Sequence, residues 1–264
     1  MRAVPIRVYT GSGGIAQLKA AFRKNWRHYL QEAVGLGIFM ISACFFSAML
    51  EGAGGWQHMI KSGFARLALT GILMGTTALF IFYSPLSSPS GSHINPAVTL
   101  TFLRLGKMCH WDALFYVLFQ FAGATIAVYL MQLLLGHMLV DAPVYSAVTV
   151  PGKAGVGTAA ITEFMIAFIT MTMVLFTSAN AKWKKYTRLI AGCLVCSYVV
   201  IAGPISGFGM NPARSFGSAL PAHIWTSFWL YLFIPIAGML SAAEFFLFIC
   251  HIKEKALRHE EHII

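Results

Sequence analysis

The tripeptide Asn-Pro-Ala occurs twice in this chain, at residues 95–97 and 211–213, each time at the start of a short apolar segment. The two segments, about 96–104 and 212–220, are far shorter than the roughly 20 apolar residues that cross a bilayer. Asn caps a first helical turn and Pro suits the first helical position, so each copy indicates a helix start. We predict two half-helices on re-entrant loops. The residues at their starts are Asn95, Pro96, Ala97, Asn211, Pro212 and Ala213.

The composition is that of a membrane protein. Of the 264 residues, 58% are hydrophobic and 11% are charged, whereas a soluble domain carries roughly 25% charged residues. A net charge of +10 would favour nucleic acid in a soluble protein, but here the cations lie between apolar segments, so we expect the lipid bilayer and no nucleic acid as partner. The predicted fold is an all-α membrane protein with six transmembrane helices. They would cover about 29–50, 67–84, 113–136, 157–178, 189–205 and 227–250.

The cations also predict how the chain crosses the membrane. Most of the 19 Lys and Arg residues lie before residue 28, at the end of the first short loop, in the 182–188 connection and in the tail. These segments would share one side of the membrane, so the positive-inside rule predicts that both termini are cytoplasmic. The first short loop would then enter from the cytoplasm and the second from the opposite side. We expect an integral protein of the plasma membrane.

The two halves of the chain are related beyond the tripeptides. Residues 119–123 in the third span echo residues 234–238 in the sixth, and Glu32 in the first span echoes Glu163 in the fourth. Three spans separate the members of each pair, so the halves have opposite orientations and form an inverted repeat.

Half-helices that enter from opposite sides should meet near the midplane with their N-termini together. Each N-terminus carries about half a positive charge and unsatisfied N–H groups, so two facing ends repel cations. Asn95 and Asn211 would cap these ends and donate N–H groups to a pore. A water that accepts from both donors cannot relay a proton there. Each Asn could instead be an ordinary helix cap, but two repeat-equivalent copies in apolar surroundings favour the pore.

Four further residues are candidates for the site. Arg214 would line the outer pore, bound by loop carbonyls, because a charge at membrane depth is costly and indicates function; the alternative is a side chain that reaches the headgroups. Glu32 and Glu163 are interpreted as acceptors that anchor the re-entrant loops, since the repeat places them in different halves. His93, on the cytoplasmic approach to Asn95, is either a pH-sensitive pore residue or a loop anchor.

Metal and enzyme chemistry are not indicated. The five cysteines show no convincing metal-ligand spacing, and Cys193 and Cys196 are interpreted as packing residues inside a span. We expect no metal and no cofactor. No set of nucleophile, base and oxyanion donors is recognised, so we do not expect an enzyme.

Two stretches resemble the aquaporin, or major intrinsic protein, family, and the resemblance covers about residues 28–251. They are Ser90-Gly91-Ser92-His93-Ile94-Asn95-Pro96-Ala97-Val98-Thr99 and Gly207-Phe208-Gly209-Met210-Asn211-Pro212-Ala213-Arg214-Ser215-Phe216-Gly217, with Gln120, Glu32 and Glu163 in agreement. The resemblance implies six helices, two half-helices, a pore in each subunit and a homotetramer. It also implies a selectivity filter of four residues. Counting back from the motifs without gaps places it at Gly75, Val199, Phe208 and Arg214.

The domains expected from these patterns are three. They are a basic cytoplasmic N-terminal segment 1–28, an aquaporin-like channel domain 29–251 with repeats at about 29–136 and 157–251, and a cytoplasmic tail 252–264. Residues 14–28 would form either a basic amphipathic helix on the inner leaflet or a solvated tail.

Family features that bear on the substrate are mixed. The filter lacks both the aromatic residue and the His of strictly water-selective members. Phe208 and Leu232 resemble glycerol facilitators, whereas Ser215 and Tyr231 resemble water channels. We predict a passive channel for water that also conducts small neutral solutes such as glycerol and excludes protons and ions. The alternatives are a facilitator with low water flux, a junction protein of the same fold, and an inverted-repeat secondary transporter, although no carboxylate adjoins either half-helix start in the sequence.

Overall fold

The computed structural model describes residues 14–261, and the regular structure in this part of the chain is helical, without strands. The all-α class predicted from the sequence is therefore confirmed. The helices are α1 (Gly14–Glu51), α2 (Gly63–Tyr83), α3 (Pro96–Arg104), α4 (His110–Leu135), α5 (His137–Val140), α6 (Gly155–Ala179), α7 (Thr187–Ile201), α8 (Gly203–Ser206), α9 (Pro212–Ala222) and α10 (Phe228–Glu261).

Among the described residues, five helices are long and apolar enough to cross a membrane: α1, α2, α4, α6 and the first 25 residues of α10. The predicted fifth span is built differently, from the 15 residues of α7 and the single turn of α8. The two pieces meet at Ala202, two residues before Pro204, which has no N–H for a helical hydrogen bond. Together they cover the 189–205 segment that the sequence predicted as one span.

The packing of the helices has the symmetry of an inverted repeat. Helix α1 packs along α4 in the first half, and α6 packs along α10 in the second, while α2 and α7 pack against each other across the two halves. The half-helices are exchanged: α3 of the first half packs on α10, and α9 of the second half packs on α4. The two halves therefore interlock instead of lying side by side.

Two repeat-equivalent glycines let the paired spans approach closely. A Cβ on Gly123 of α4 would lie 2.3 Å from the carbonyl oxygen of Ala33 in α1. A Cβ on Gly238 of α10 would lie 2.6 Å from the carbonyl oxygen of Phe164 in α6. Both glycines belong to the echoed segments of the sequence, so the repeat is explained there by backbone contact, as in other membrane helix pairs.

Helix α1 begins well before the first predicted span. It runs without interruption from Gly14, and its first part is docked on the start of α4. The Tyr29 hydroxyl donates to Asp112 at 2.6 Å and the Asn25 amide donates to the same carboxylate at 2.9 Å. Residues 14–28 are thus helical and continuous with the first span, and they contact α4, so they do not form a separate tail; their place on the inner leaflet stays a prediction. The remainder of the predicted N-terminal segment, 1–13, and the last residues of the tail, 262–264, lie outside the described residues.

Candidate functional site

The first re-entrant loop connects α2 to α3 and is held by the Glu32 side chain of α1. Glu32 is fully buried and its two carboxyl oxygens accept four hydrogen bonds. Two come from the loop backbone, the N–H groups of His93 at 3.0 Å and Ile94 at 2.5 Å. The other two come from the Ser90 hydroxyl at 2.5 Å and the Gln120 amide at 2.8 Å. These donors compensate the cost of burying a carboxyl group.

The second loop, between α8 and α9, repeats this arrangement around Glu163 of α6. The buried carboxyl group accepts from the Ser206 hydroxyl at 2.6 Å and from the backbone N–H groups of Gly209 at 2.8 Å and Met210 at 2.5 Å. The sequence offered no carboxylate next to either half-helix start, yet the fold brings one to each loop from another helix. These are the contacts expected of residues that anchor the loops.

A pair of tyrosines completes the two anchors. The Tyr116 hydroxyl of α4 donates to the carbonyl of Ser90 at 2.8 Å, and the Tyr231 hydroxyl of α10 donates to the carbonyl of Ser206 at 2.6 Å. Sequence reasoning missed Tyr116. The signal was available, because Tyr116 and Tyr231 are separated by the same interval as the echoed segments 119–123 and 234–238.

The backbone immediately before each half-helix is in the left-handed region. Ile94 has φ 42° and Met210 has φ 46°, and each directly precedes a capping Asn. For residues with a side chain this conformation is uncommon and costs energy, so it persists only where surrounding contacts impose it. Here the N–H groups of both residues are bound by a glutamate, and their carbonyls accept hydrogen bonds from the opposite loop.

Asn95 and Asn211 join the two loops by reciprocal hydrogen bonds. The Asn95 side-chain nitrogen donates to the Met210 carbonyl at 2.9 Å, and that of Asn211 donates to the Ile94 carbonyl at 2.6 Å. The side-chain oxygens cap the half-helices, Asn95 by accepting from Ala97 N at 2.9 Å. An amide nitrogen has two hydrogens, so each Asn keeps one N–H for the adjoining cavity, which both residues line.

A cavity of about 560 Å³ passes these two residues. Its lining includes Arg188 at the start of α7 and Gly203, the first residue of α8. The cavity therefore extends over the length of α7, roughly 22 Å at 1.5 Å per residue. We call its two ends the His93 end, which includes Arg188, and the Arg214 end, which includes Gly203. Most of the wall is apolar. The described polar side chains on it are Ser47, Thr70, Ser92, His93, Asn95, Thr170, Thr187, Arg188, Asn211 and Arg214.

Three of the four predicted filter residues, Val199, Phe208 and Arg214, line this cavity, but Gly75 is not among the described residues on its wall. Gly75 faces α7, where an added Cβ would lie 2.8 Å from the Cβ of Cys196. Thr70 lines the cavity from the same helix α2.

The depth of Thr70 along the cavity follows from the contacts of its neighbour Gly71. A Cβ on Gly71 would meet the Cys196 carbonyl and the Val200 side chain at 2.7 and 3.0 Å, so Thr70 lies at about the level of Val199 along the cavity. The gapless count runs through an irregular segment, because Pro85 and a 3₁₀ turn, Ser88–Ser90, lie between α2 and the motif. Thr70, the α2 residue that lines the cavity at the level of Val199, therefore lies more than one helical turn before Gly75.

Arg214 lies in the first turn of α9, and its guanidinium donates to the hydroxyl of Thr149. Thr149 is buried in the connection between α5 and α6, and it also accepts from the Ser215 hydroxyl at 3.3 Å. The sequence predicted loop carbonyls as partners of Arg214, whereas the partner found in the structure is a side chain. Nothing in the local pattern around Thr149 indicates this contact, because the residue belongs to an irregular connection.

His93 has features of both roles considered for it. Its Nδ1 lies 3.2 Å from the Thr99 hydroxyl and its ring stacks on Phe102, with centroids 4.8 Å apart, so the side chain is fixed. The same residue lines the cavity. As for metals, the described residues contain no group of three or more His, Cys, Asp or Glu side chains placed to bind an ion.

Comparisons with known proteins show what this chain is similar to in sequence and in fold. A sequence model of the family described as major intrinsic protein matches residues 19–246. Aquaporin NIP1-4 of Oryza sativa subsp. japonica is 32% identical over 199 residues, 75% of this chain and 71% of that protein. Aquaporin TIP4-2 of Zea mays is 30% identical over 214 residues, 80% of either chain. An X-ray structure of the aquaglyceroporin from Plasmodium falciparum superimposes with a TM-score of 0.69 at 19% identity, over 84% of this chain and 95% of that one.

Proposed function

Because this chain belongs to the major intrinsic protein family, whose aquaporin members are membrane channels and not enzymes, we propose that it is a passive channel for water that also conducts small neutral solutes such as glycerol and excludes protons and ions. The observation that carries the proposal is the reciprocally bonded pair Asn95 and Asn211 on the wall of a long, mostly apolar cavity.

The cavity suits the passage of neutral molecules because its walls offer few hydrogen-bonding partners. A water that moves along an apolar wall forms few bonds that must later break, and the two Asn N–H groups and Arg214 supply the donors. The N-termini of α3 and α9 meet at the Asn pair, and their partial positive charges disfavour cations there. A water that accepts from both Asn donors has its hydrogens turned away, so a proton relay is interrupted at this point.

The Arg214 end supports the wider solute range. We place the filter at Thr70, Val199, Phe208 and Arg214, with Thr70 replacing the predicted Gly75. Thr70 and Val199 are small where a large aromatic residue and a His would narrow the passage. Phe208 supplies an apolar ring that suits the carbon backbone of a polyol, while Arg214 can donate to its hydroxyl groups.

The test is stopped-flow light scattering on proteoliposomes that contain the full chain, with water and glycerol gradients measured on the same preparation. We expect both solutes to cross faster than in empty liposomes. Glycerol flux equal to that of empty liposomes, with fast water flux, would limit the channel to water. Slow water flux with fast glycerol flux would favour the facilitator alternative. Transport that saturates and follows an ion gradient would indicate a secondary transporter.

The same proposal includes the assembly and orientation of the channel. We propose a homotetramer with both termini in the cytoplasm, and with the His93 end on that side. The cation-rich connection 182–188 lies at this end, as the positive-inside rule requires. Mass measurement in nanodiscs tests the tetramer, and protease access to a C-terminal tag in sealed vesicles tests the orientation. The plasma membrane stays a prediction, to be decided against internal membranes by fractionation of the native cells.

A further inference from the structure

Three methionines lie on the wall of the cavity, and the proposed passage of water uses none of their sulfur atoms. They are Met74, Met210 and Met239. A thioether is only a weak hydrogen-bond acceptor, and its characteristic reaction is oxidation to the sulfoxide. Met210 is the most accessible of the three, with 9% of its surface exposed against 4% for Met74 and none for Met239.

Met210 is also held in place at the point where the half-helices meet. Its backbone carbonyl accepts from the side chain of Asn95 at 2.9 Å, and its N–H donates to Glu163. The Thr170 hydroxyl donates to its sulfur at 3.5 Å. The sulfur is therefore held by Thr170 in a residue that lines the cavity and directly precedes Asn211.

We propose that Met210 is an oxidation site, at which hydrogen peroxide that enters the cavity converts the thioether to a sulfoxide and reduces the flux of water. The sulfur lone pair attacks one peroxide oxygen, the S–O bond forms and the O–O bond breaks. The second oxygen leaves as water after taking the proton of the first. Sulfur is oxidised by two electrons and peroxide is reduced. The inference rests on the proposed passage of small neutral solutes, since the oxidant uses the same route.

The sulfoxide would act on the channel in two ways. It adds an oxygen atom to the wall of the passage, which narrows it. That oxygen is also a strong acceptor, so we expect it to compete with permeating water for the N–H groups of Asn95 and Asn211 on the same cavity wall. We expect water flux to fall roughly fivefold, the effect of about one additional hydrogen bond to break along the path.

Two other methionines make the test internally controlled. Met59 lies in the connection between α1 and α2 with 83% of its surface exposed, and Met171 of α6 is fully buried.

Proteoliposomes that contain the full chain are treated either with hydrogen peroxide or with chloramine-T, an anionic aromatic oxidant too large for the filter. Dithiothreitol is added afterwards, because it reverses mild cysteine oxidation but leaves sulfoxides intact. Peptide mapping by mass spectrometry then reports each methionine, and stopped-flow reports water flux.

Of these three methionines, we expect peroxide to oxidise Met59 and Met210 and to spare Met171. Chloramine-T should oxidise only Met59 among the three. Water flux should fall in step with sulfoxide at Met210 and not with sulfoxide at Met59. A Met210→Leu channel, or Met210→Ile if the first does not fold, should keep its own starting flux after peroxide. The inference is overturned if Met210 stays reduced when Met59 is fully oxidised, or if the variant loses flux as the unmodified chain does. The untreated sample tests the proposed function separately. If it shows no water flux, the proposed function is wrong, whether or not peptide mapping finds sulfoxide at Met210.

Discussion

The side-chain nitrogen of Asn95 donates a hydrogen bond to the backbone carbonyl of Met210, 2.9 Å away and 115 residues further along the chain. The bond links the cap of one half-helix to the loop that precedes the other, and its counterpart from Asn211 to Ile94 runs in the opposite direction. Each Asn therefore has three tasks: it caps a helix, ties the loops together and presents a donor to the cavity.

Replacing Asn95 with aspartate separates these tasks. The introduced carboxylate would still cap α3, but it could not donate to Met210, at a cost of about 1 kcal/mol. It would also place a negative charge where two positive helix ends meet. We expect Asn95→Asp to lower water flux and to create a measurable potassium conductance in planar bilayers. Asn180→Asp, the same change at an exposed connection, should leave the membrane tight to ions. An Asn95→Asp channel with normal flux and no conductance would contradict the proposed role.

Replacing Glu32 with glutamine should loosen the first loop. One of the two oxygens that accept from His93, Ile94, Ser90 and Gln120 becomes an NH₂ group that faces donors. Leaving those donors unpaired costs about 2–3 kcal/mol. We expect Glu32→Gln to cause a clear fall in the melting temperature of the detergent-solubilised protein together with lower water flux.

The matched control is Glu244→Gln, because Glu244 forms an exposed ion pair with Arg104 at 2.8 Å. Exposed pairs contribute at most about 1 kcal/mol, so this variant should melt close to the unmodified protein. Equal melting shifts for the two variants would show that Glu32 does not anchor the loop.

The position of the filter on α2 can be tested with two substitutions. Thr70→Phe adds a large ring on the cavity wall, so we expect glycerol flux to be lost while water flux is largely retained. Gly75→Ala should instead leave the selectivity between glycerol and water unchanged. The added Cβ would meet Cys196 at 2.8 Å and cost about 1–3 kcal/mol by overpacking, without altering the ratio of glycerol to water flux. A changed ratio in Gly75→Ala would restore the gapless placement.

Thr149 should influence permeation through Arg214. Thr149→Val keeps the shape of the side chain but removes the acceptor of the guanidinium, about 1 kcal/mol of interaction, so Arg214 is free to turn into the lumen. We expect a several-fold lower water flux. Thr149→Ser restores the hydroxyl and should restore the flux. If the valine and serine variants conduct alike, the Thr149 contact does not position Arg214.

The sequence predicted those parts of the site that have a local sequence pattern and occur in both halves of the chain. Asn95 and Asn211 each start a half-helix with the same capping pattern, and Glu32 and Glu163 lie at equivalent places in the two halves. For such residues the repeat provides a second, independent copy of each pattern. Tyr116 belongs to the same class, and comparison with Tyr231 would have found it.

Other features depend on how segments of irregular length are folded, which local patterns do not encode. On α2, Thr70 lines the cavity and the predicted Gly75 does not, and a gapless count back from the motif crosses the irregular segment around Ser88–Ser90. Thr149 reaches Arg214 from a connection that has no periodicity. The early part of α1 contacts α4, as between Tyr29 and Asp112, and a contact between different helices leaves no local pattern in the sequence.

The exchange of half-helices between the two halves has a consequence for the synthesis of the protein. Helix α3 packs on α10, whose first residue, Phe228, leaves the ribosome long after Arg104 at the end of α3. Until then, the first re-entrant loop has only the contacts of its own half, chiefly Glu32, Tyr116 and Gln120. Until α10 is synthesised, these bonds alone must therefore hold the first polar loop. The second loop is synthesised after α4, on which α9 packs, so Glu163 does not have to hold its loop without that partner helix.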